Sequence, residues 1–275
     1  MINKRKNIYA PSSNGDIVLT GVRKVIAIMG QSNIDGRADI VGLPSDIENP
    51  TPLVKYYQNS SWNDWDCTKP PARWASLDNS FAHDTIWLQR LAEDLNENIY
   101  IVKKSRGGTT FKQTTNVKGD WNISSTEPEN HYLEFIRRLT NTKNYVEQVE
   151  FKNFELSGLV VDIFESDNDI SDVPTLTTDF KNFITKIREF ANNQNLPILH
   201  RRLNIIQNGV DQWVIDLQDF FANNTEAQGG IDNYYLVDGE GTTFFDGVHL
   251  DAVSNELLSD RFIPLVKTHF YNIPL

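Results

Sequence analysis

Ser32 stands in the tetrapeptide Gly30-Gln31-Ser32-Asn33, directly after the run Arg23-Lys24-Val25-Ile26-Ala27-Ile28-Met29. That run reads as a buried strand with a basic entry. A serine at the C-terminal end of such a strand can act as a nucleophile. The glycine permits a tight turn, and the hydroxyl projects where ligands collect in open α/β sheets. Glycine, serine and asparagine are also ordinary turn formers, so the tetrapeptide needs partners before it means chemistry. Asp246 and His249 are candidates. They lie three apart in Phe244-Phe245-Asp246-Gly247-Val248-His249-Leu250, more than 200 residues after Ser32. A serine hydrolase needs such a pair: the imidazole takes the hydroxyl proton, while the carboxylate fixes the tautomer and stabilises the imidazolium.

The elements that must carry these residues read as an α/β alternation. Strand-like runs fall at 23–29, 53–57, 99–102, 156–164, 198–206 and 234–237, and helical spacing at 81–95, 129–150, 176–193, 213–221 and 252–270. Alternation of this kind predicts a parallel sheet covered by helices. The strand at 99–102 runs into Ser105-Arg106-Gly107-Gly108-Thr109, and the strand at 156–164 into Glu165-Ser166-Asp167-Asn168-Asp169. No repeat or low-complexity linker divides the chain. The expected organisation is an N-terminal arm over 1–20 and one domain over 21–275.

Composition narrows the function classes. Of 275 residues, 39% are hydrophobic and 11% aromatic, enough for a real core. A formal net charge of -11 argues against holding nucleic acid or an anionic membrane through bulk charge. Cys67 is the single cysteine, so it forms no internal disulfide, and it lacks the neighbours of a zinc site. No stretch approaches the roughly 20 apolar residues of a membrane span. The basic N-terminus is not followed by an apolar run, unlike a secretory signal. Localisation stays open, including export by another route or a place on a viral or cell-surface particle. No histidine pair has metal-ligand spacing, and the expected chemistry needs neither metal nor cofactor. Oligomeric state is not legible.

Three blocks in order resemble the SGNH (GDSL-like) hydrolases, specifically the sialate O-acetylesterase and acetylxylan esterase branch of carbohydrate esterases. The opening block of that branch, Gly-Gln-Ser-Asn-Met-x-Gly, appears as Gly30 to Gly36 with Ile34 in place of Met. The second, a strand ending in Gly-Gly-Thr, appears as Gly107, Gly108 and Thr109, and the last, Asp-Gly-x-His, as Asp246 to His249. The third departs: where the branch has Gln-Gly-Glu-Ser-Asp, this chain has Ile163-Phe164-Glu165-Ser166-Asp167. His83 stands where the family often has Gly-Pro.

The resemblance implies a single-domain three-layer α/β/α sandwich, flavodoxin-like, around a mainly parallel five-stranded sheet. It implies a carbohydrate O-acetylesterase with Ser32 as nucleophile, His249 as base and then acid, and Asp246 orienting His249. Oxyanion donors would be the Ser32 N–H, the Gly107–Gly108 turn and, in a shifted third block, Asn168. Gln31 and Asn33 would support the nucleophile turn or meet substrate, and Glu165 would orient a neighbouring loop or do the same. Arg37 and Arg106 could meet a substrate carboxylate. Trp62, Trp65, Trp74 and Trp121 would stack on sugar or pack loops. Two alternatives remain beside this reading: a lipid or aryl esterase with the same triad, and a catalytically silent glycan-binding module.

Overall fold

The apolar run before Ser32 forms the central strand, β1 (Val22–Gly30), of the sheet in this computed structural model, which describes residues 19–47, 51–58, 60–64, 80–112, 118–126, 129–167 and 173–274. Most of the arm expected over 1–20, together with Trp65, Cys67, Trp74 and Asn168, lies outside the described residues. Alternation along β1 sends Val25, Ala27 and Met29 into one hydrophobic layer and Ile26 and Ile28 into the other. After it come the one-turn helix α1 (Ser32–Asp35), the short β2 (Ala38–Asp39), β3 (Val54–Gln58), β4 (Ser61–Asp64) and the short β5 (Ser80–Phe81). The helix α2 (His83–Leu95), β6 (Ile99–Ser105), α3 (His131–Gln148), β7 (Asn153–Asp162) and α4 (Val173–Ala191) follow. The chain closes with β8 (Ile198–Arg201), α5 (Gln212–Asn223), β9 (Tyr234–Val237) and α6 (Ala252–Tyr271).

The main sheet runs β4-β3-β6-β1-β7-β8-β9, with β2 and β5 forming a separate antiparallel pair. Aromatic residues of α3, α4 and α5, among them Phe135, Phe180 and Phe221, fill one side of the sheet. Trp87 of α2 and Phe262 and Phe270 of α6 fill the other. The expected three-layer α/β/α sandwich is therefore present. The expected five strands are corrected to seven: six parallel strands and the antiparallel edge strand β4. Ser61-Trp62-Asn63-Asp64 has no apolar alternation, and it becomes a strand by pairing with β3.

A second correction concerns β8, which ends at Arg201 and not at 206. Beyond it the chain leaves the sheet: Leu203 N–H donates to Gln218 Oε1 at 2.9 Å, and Ile206 N–H donates to Asn204 Oδ1 at 3.2 Å. The apolar Ile205 and Ile206 are left exposed on a loop.

Register explains why the chemistry-bearing segments converge. Gly30 is paired with Ser105 on one side and Asp162 on the other, so β6, β1 and β7 end level. The segments beginning at Gln31, Arg106 and Ile163 therefore leave from one edge. A side chain at Gly30 would collide with the Asp162 carbonyl and the Ile34 side chain, so this turn needs glycine.

Candidate active site

Ser32 opens α1, whose four residues are all buried. Its Oγ donates to Glu165 Oε2 at 3.3 Å. The neighbouring side chains are engaged within the fold. Gln31 is fully buried, donating through Nε2 to the Thr109 carbonyl and accepting from Glu165 N–H at 2.8 Å. Asn33 donates to Glu165 Oε1 and, at 3.3 Å, to the Val248 carbonyl, while its Oδ1 accepts from Leu250 N–H at 2.8 Å. These two residues stitch the Ser32 turn to the other strand-end loops. Of the two expected roles, support of the turn is the one these bonds serve.

His249 and Asp246 are joined directly, with Nδ1 and Oδ2 2.6 Å apart. The other carboxylate oxygen accepts the amides of Val248 at 2.9 Å and His249 at 2.7 Å. Burial pushes the Asp246 carboxyl up, but the bond from His249 and these amides outweigh it and hold the group at about 2. An ionised carboxylate on Nδ1 makes that nitrogen the donor and leaves Nε2 to accept a proton. Gln207 anchors the loop by donating to the Val248 carbonyl at 2.8 Å.

Beneath Ser32 lies a buried ionic chain that sequence reading missed. Arg201, fully buried, pairs with Asp162 at 2.8 Å and with Glu165, and Asp162 in turn meets His83 Nε2 at 3.1 Å. Burial raises the Asp162 carboxyl, but Arg201 and His83 more than offset it, and the group is lowered. At Glu165 burial prevails over the pull of Arg201, and its carboxyl is raised. His83 is thus no incidental replacement: it sits at the start of α2, stacked on Phe262 with ring centroids 4.7 Å apart. The available signal was His200-Arg201 following Ile198-Leu199 in a predicted strand, since buried charges are seldom placed without partners. Phe164, where the family pattern has glycine, takes a left-handed φ of 83°. Its ring packs between Phe111 and Phe180, at centroid distances of 5.9 and 5.0 Å. Aromatic burial here offsets a backbone conformation that glycine adopts without strain.

Ser32, Arg37, Arg106, Gly107, Gly108, Lys118, Glu165, Ser166, Val248 and His249 line one cleft of about 410 Å³. A side chain at Gly107 would collide with the Arg37 guanidinium and lie 3.2 Å from Ser32 Cβ. The Gly107 amide also serves the Asp35 carboxyl, which burial raises despite the bond from Ser105 at 2.8 Å. Arg37 pairs with Asp35 at 3.2 Å. Lys118, unnoticed in the sequence, lies against Gly108.

Among the described residues, Trp62, Trp121, His131, His200 and His269 are engaged within the fold. Trp121 is buried and donates to Thr109 Oγ1 at 3.0 Å, and Trp62 packs on Tyr57 and Tyr100 near the sheet edge. His200 meets Tyr234 Oη at 2.5 Å, and burial pushes its imidazole down to about 3. His131 bonds the Lys118 carbonyl at 2.7 Å, and His269 stacks on Tyr235. Among the described residues no group of three or more His, Cys, Asp or Glu could hold a metal ion, and no helix is long and apolar enough to cross a membrane.

Residues 22–267 match the model of a family described as carbohydrate esterase, sialic acid-specific acetylesterase. No curated protein sequence matches the chain. Among solved structures, an Arabidopsis thaliana protein superposes with a TM-score of 0.67 at 16% identity, covering 90% of this chain and 98% of its own. NanS gives 0.61 at 14%, covering 94% and 100%. A carbohydrate acetylesterase from Xanthomonas citri gives 0.59 at 14%, covering 91% of this chain and 57% of its own. At such identities these likenesses establish the shared fold.

Proposed function

The chain belongs to the sialic acid-specific acetylesterase family of carbohydrate esterases, and on that premise we propose that it removes acetyl groups from sugar hydroxyls with Ser32, His249 and Asp246 as its triad. The observation that carries this reading is the meeting of Ser32 and His249 on the walls of one cleft, with Asp246 2.6 Å behind His249.

Ser32 Oγ attacks the acetyl carbonyl carbon while His249 Nε2 takes its proton. The hydroxyl must first turn from Glu165 toward the imidazole. Negative charge on the carbonyl oxygen is met by the Ser32 N–H and by an amide of the Gly107–Gly108 turn. Because the Gly107 amide is engaged by Asp35, Gly108 is the better placed of the two. Loss of one such donor commonly costs roughly 10²–10³ in turnover. Asn168 remains a candidate third donor, since Ile163 cannot act as the family's Gln would. His249 then protonates the sugar oxygen as the C–O bond breaks, leaving acetyl on Ser32. Water, deprotonated by His249, attacks the acetyl-enzyme, releases acetate and returns the proton to Ser32.

Arg37, Arg106 and Lys118 set positive charge in the cleft of a chain whose net charge is -11. This favours an acetylated sugar that also bears a carboxylate, such as a sialic acid, over a neutral one such as xylose. Acetate release should be measured from O-acetylated sialic acid and from acetylated xylan, with the wild type and Ser32→Ala. Release that favours the acidic sugar and disappears in the variant is expected; undiminished release by Ser32→Ala would sink the assignment.

One observation favours a second reading. The Ser32 hydroxyl rests on Glu165, and the family's third-block Gln is Ile163, as a catalytically silent glycan-binding module would tolerate. A fluorophosphonate probe separates the two: the esterase forms an adduct on Ser32, and the silent module does not.

A further inference from the structure

Phe245 is 57% exposed, and Ile205 and Ile206 are 51% and 59% exposed. Full burial of a side chain of this size is worth about 1.5–3 kcal/mol, so packing alone does not account for leaving three of them in water. Phe245 stands beside His249. The Phe245 ring stacks on the imidazole, with centroids 5.9 Å apart and planes inclined by 27°. Ile205 and Ile206 lie on the loop after β8, which is bonded twice to the loop carrying Phe245 and His249. Asn208 N–H donates to the Gly247 carbonyl at 2.7 Å, and Gln207 Nε2 to the Val248 carbonyl at 2.8 Å.

Chemistry says which part of a substrate lies there. In ester hydrolysis the base that deprotonates the nucleophile also protonates the leaving oxygen, so the alcohol portion lies against the imidazole. The acyl portion points away, toward the oxyanion donors. The alcohol of this family's substrates is a sugar, and a sugar ring has an apolar C–H face that suits an aromatic ring.

We infer that Phe245, with Ile205 and Ile206 on the loop bonded to its own, is the platform on which the sugar ring bearing the acetyl ester rests. The inference rests on the reading of Ser32 and His249 as nucleophile and base. It makes Phe245 a determinant of specificity on the leaving-group side, separate from the cations beside the glycine turn. A long acyl chain is the competing occupant, and the test separates it.

The experiment compares kcat and KM for an acetylated xylo-oligosaccharide, O-acetylated sialic acid, ethyl acetate and ethyl octanoate, using wild type, Phe245→Ala, Phe245→Trp and Ile206→Ser. The last variant changes the platform without touching the histidine. For Phe245→Ala, kcat/KM on the better sugar ester should fall relative to ethyl acetate by roughly three- to tenfold, mainly through KM. Phe245→Trp should retain the ratio, and Ile206→Ser should lower it less. Parallel losses on sugar ester and ethyl acetate would overturn the inference, because Phe245 would then merely support His249. So would a selective loss on ethyl octanoate, which would put an acyl chain on the platform. If the wild type hydrolyses none of the esters, the esterase reading itself fails. Calorimetric titration of the same acetylated sugars into wild type and Phe245→Ala then decides the platform, and unchanged affinity overturns it.

Discussion

Ser32 and Asn33 are 8% and 2% exposed, whereas the side chains of His249 and Asp246 are 24% and 42% exposed. The Ser32 turn rests on a floor of buried charge, with Glu165, Arg201, Asp162 and His83 joined in series beneath it. The Asp246–His249 pair is held by bonds within its own four residues and by the distant anchors Asn33 and Gln207. The difference teaches where damage should go. Changes at the exposed pair should impair chemistry and spare the fold, while changes in the floor should reach the fold first.

The largest effect should come from the exposed side. Asp246→Asn removes the acceptor that selects the His249 tautomer and should lower acetate release by about 10⁴-fold. Its melting temperature should stay close to that of the wild type, because the lost bonds are solvent-facing. A large fall in melting temperature would break the contrast.

On the floor, Arg201→Leu strands two buried carboxylates and should cost about 3–5 kcal/mol of stability, read from urea denaturation. Retained wild-type stability would show that the ionic chain does not hold the Ser32 turn.

A smaller effect comes from acid. His200 is neutral in the fold with a folded value of about 3, well below the ordinary imidazole value near 6.5. A group depressed by folding stabilises above its unfolded value and loses that contribution as pH falls toward its folded value. Lowering the pH from 7.5 to 5 should therefore cost about 2 kcal/mol through this residue alone. Denaturation of wild type and His200→Gln at both pH values checks it: the variant should lose this part of the slope, and an unchanged slope would place the acid sensitivity elsewhere.

Much of the exposed side was legible in the sequence, because its contacts are local. Asp246 and His249 are three apart and bond one another, and the glycines of both early blocks mark turns at strand ends. The floor was not legible. Arg201 meets Glu165 across 36 residues and Asn33 meets Glu165 across 132, pairings fixed by sheet register and by no local pattern. For the same reason the bonds that Gln31 and Asn33 make within the fold follow from β1, β6 and β7 ending level and from no local pattern. Ile205 and Ile206 misled in the other direction. Their apolar character extended the predicted strand, whereas the chain leaves the sheet at Arg201 and presents them to solvent. Phe164 in a left-handed turn breaks local preference because the aromatic layer compensates it.

The most direct test of the central claim is to quench a reaction with O-acetylated sialic acid at steady state and map the mass of the peptide containing Ser32. An added acetyl group on Ser32 that builds up with substrate and is absent from Ser32→Ala is the predicted result. Acetate release with Ser32 unmodified, or release that persists in Ser32→Ala, would contradict it.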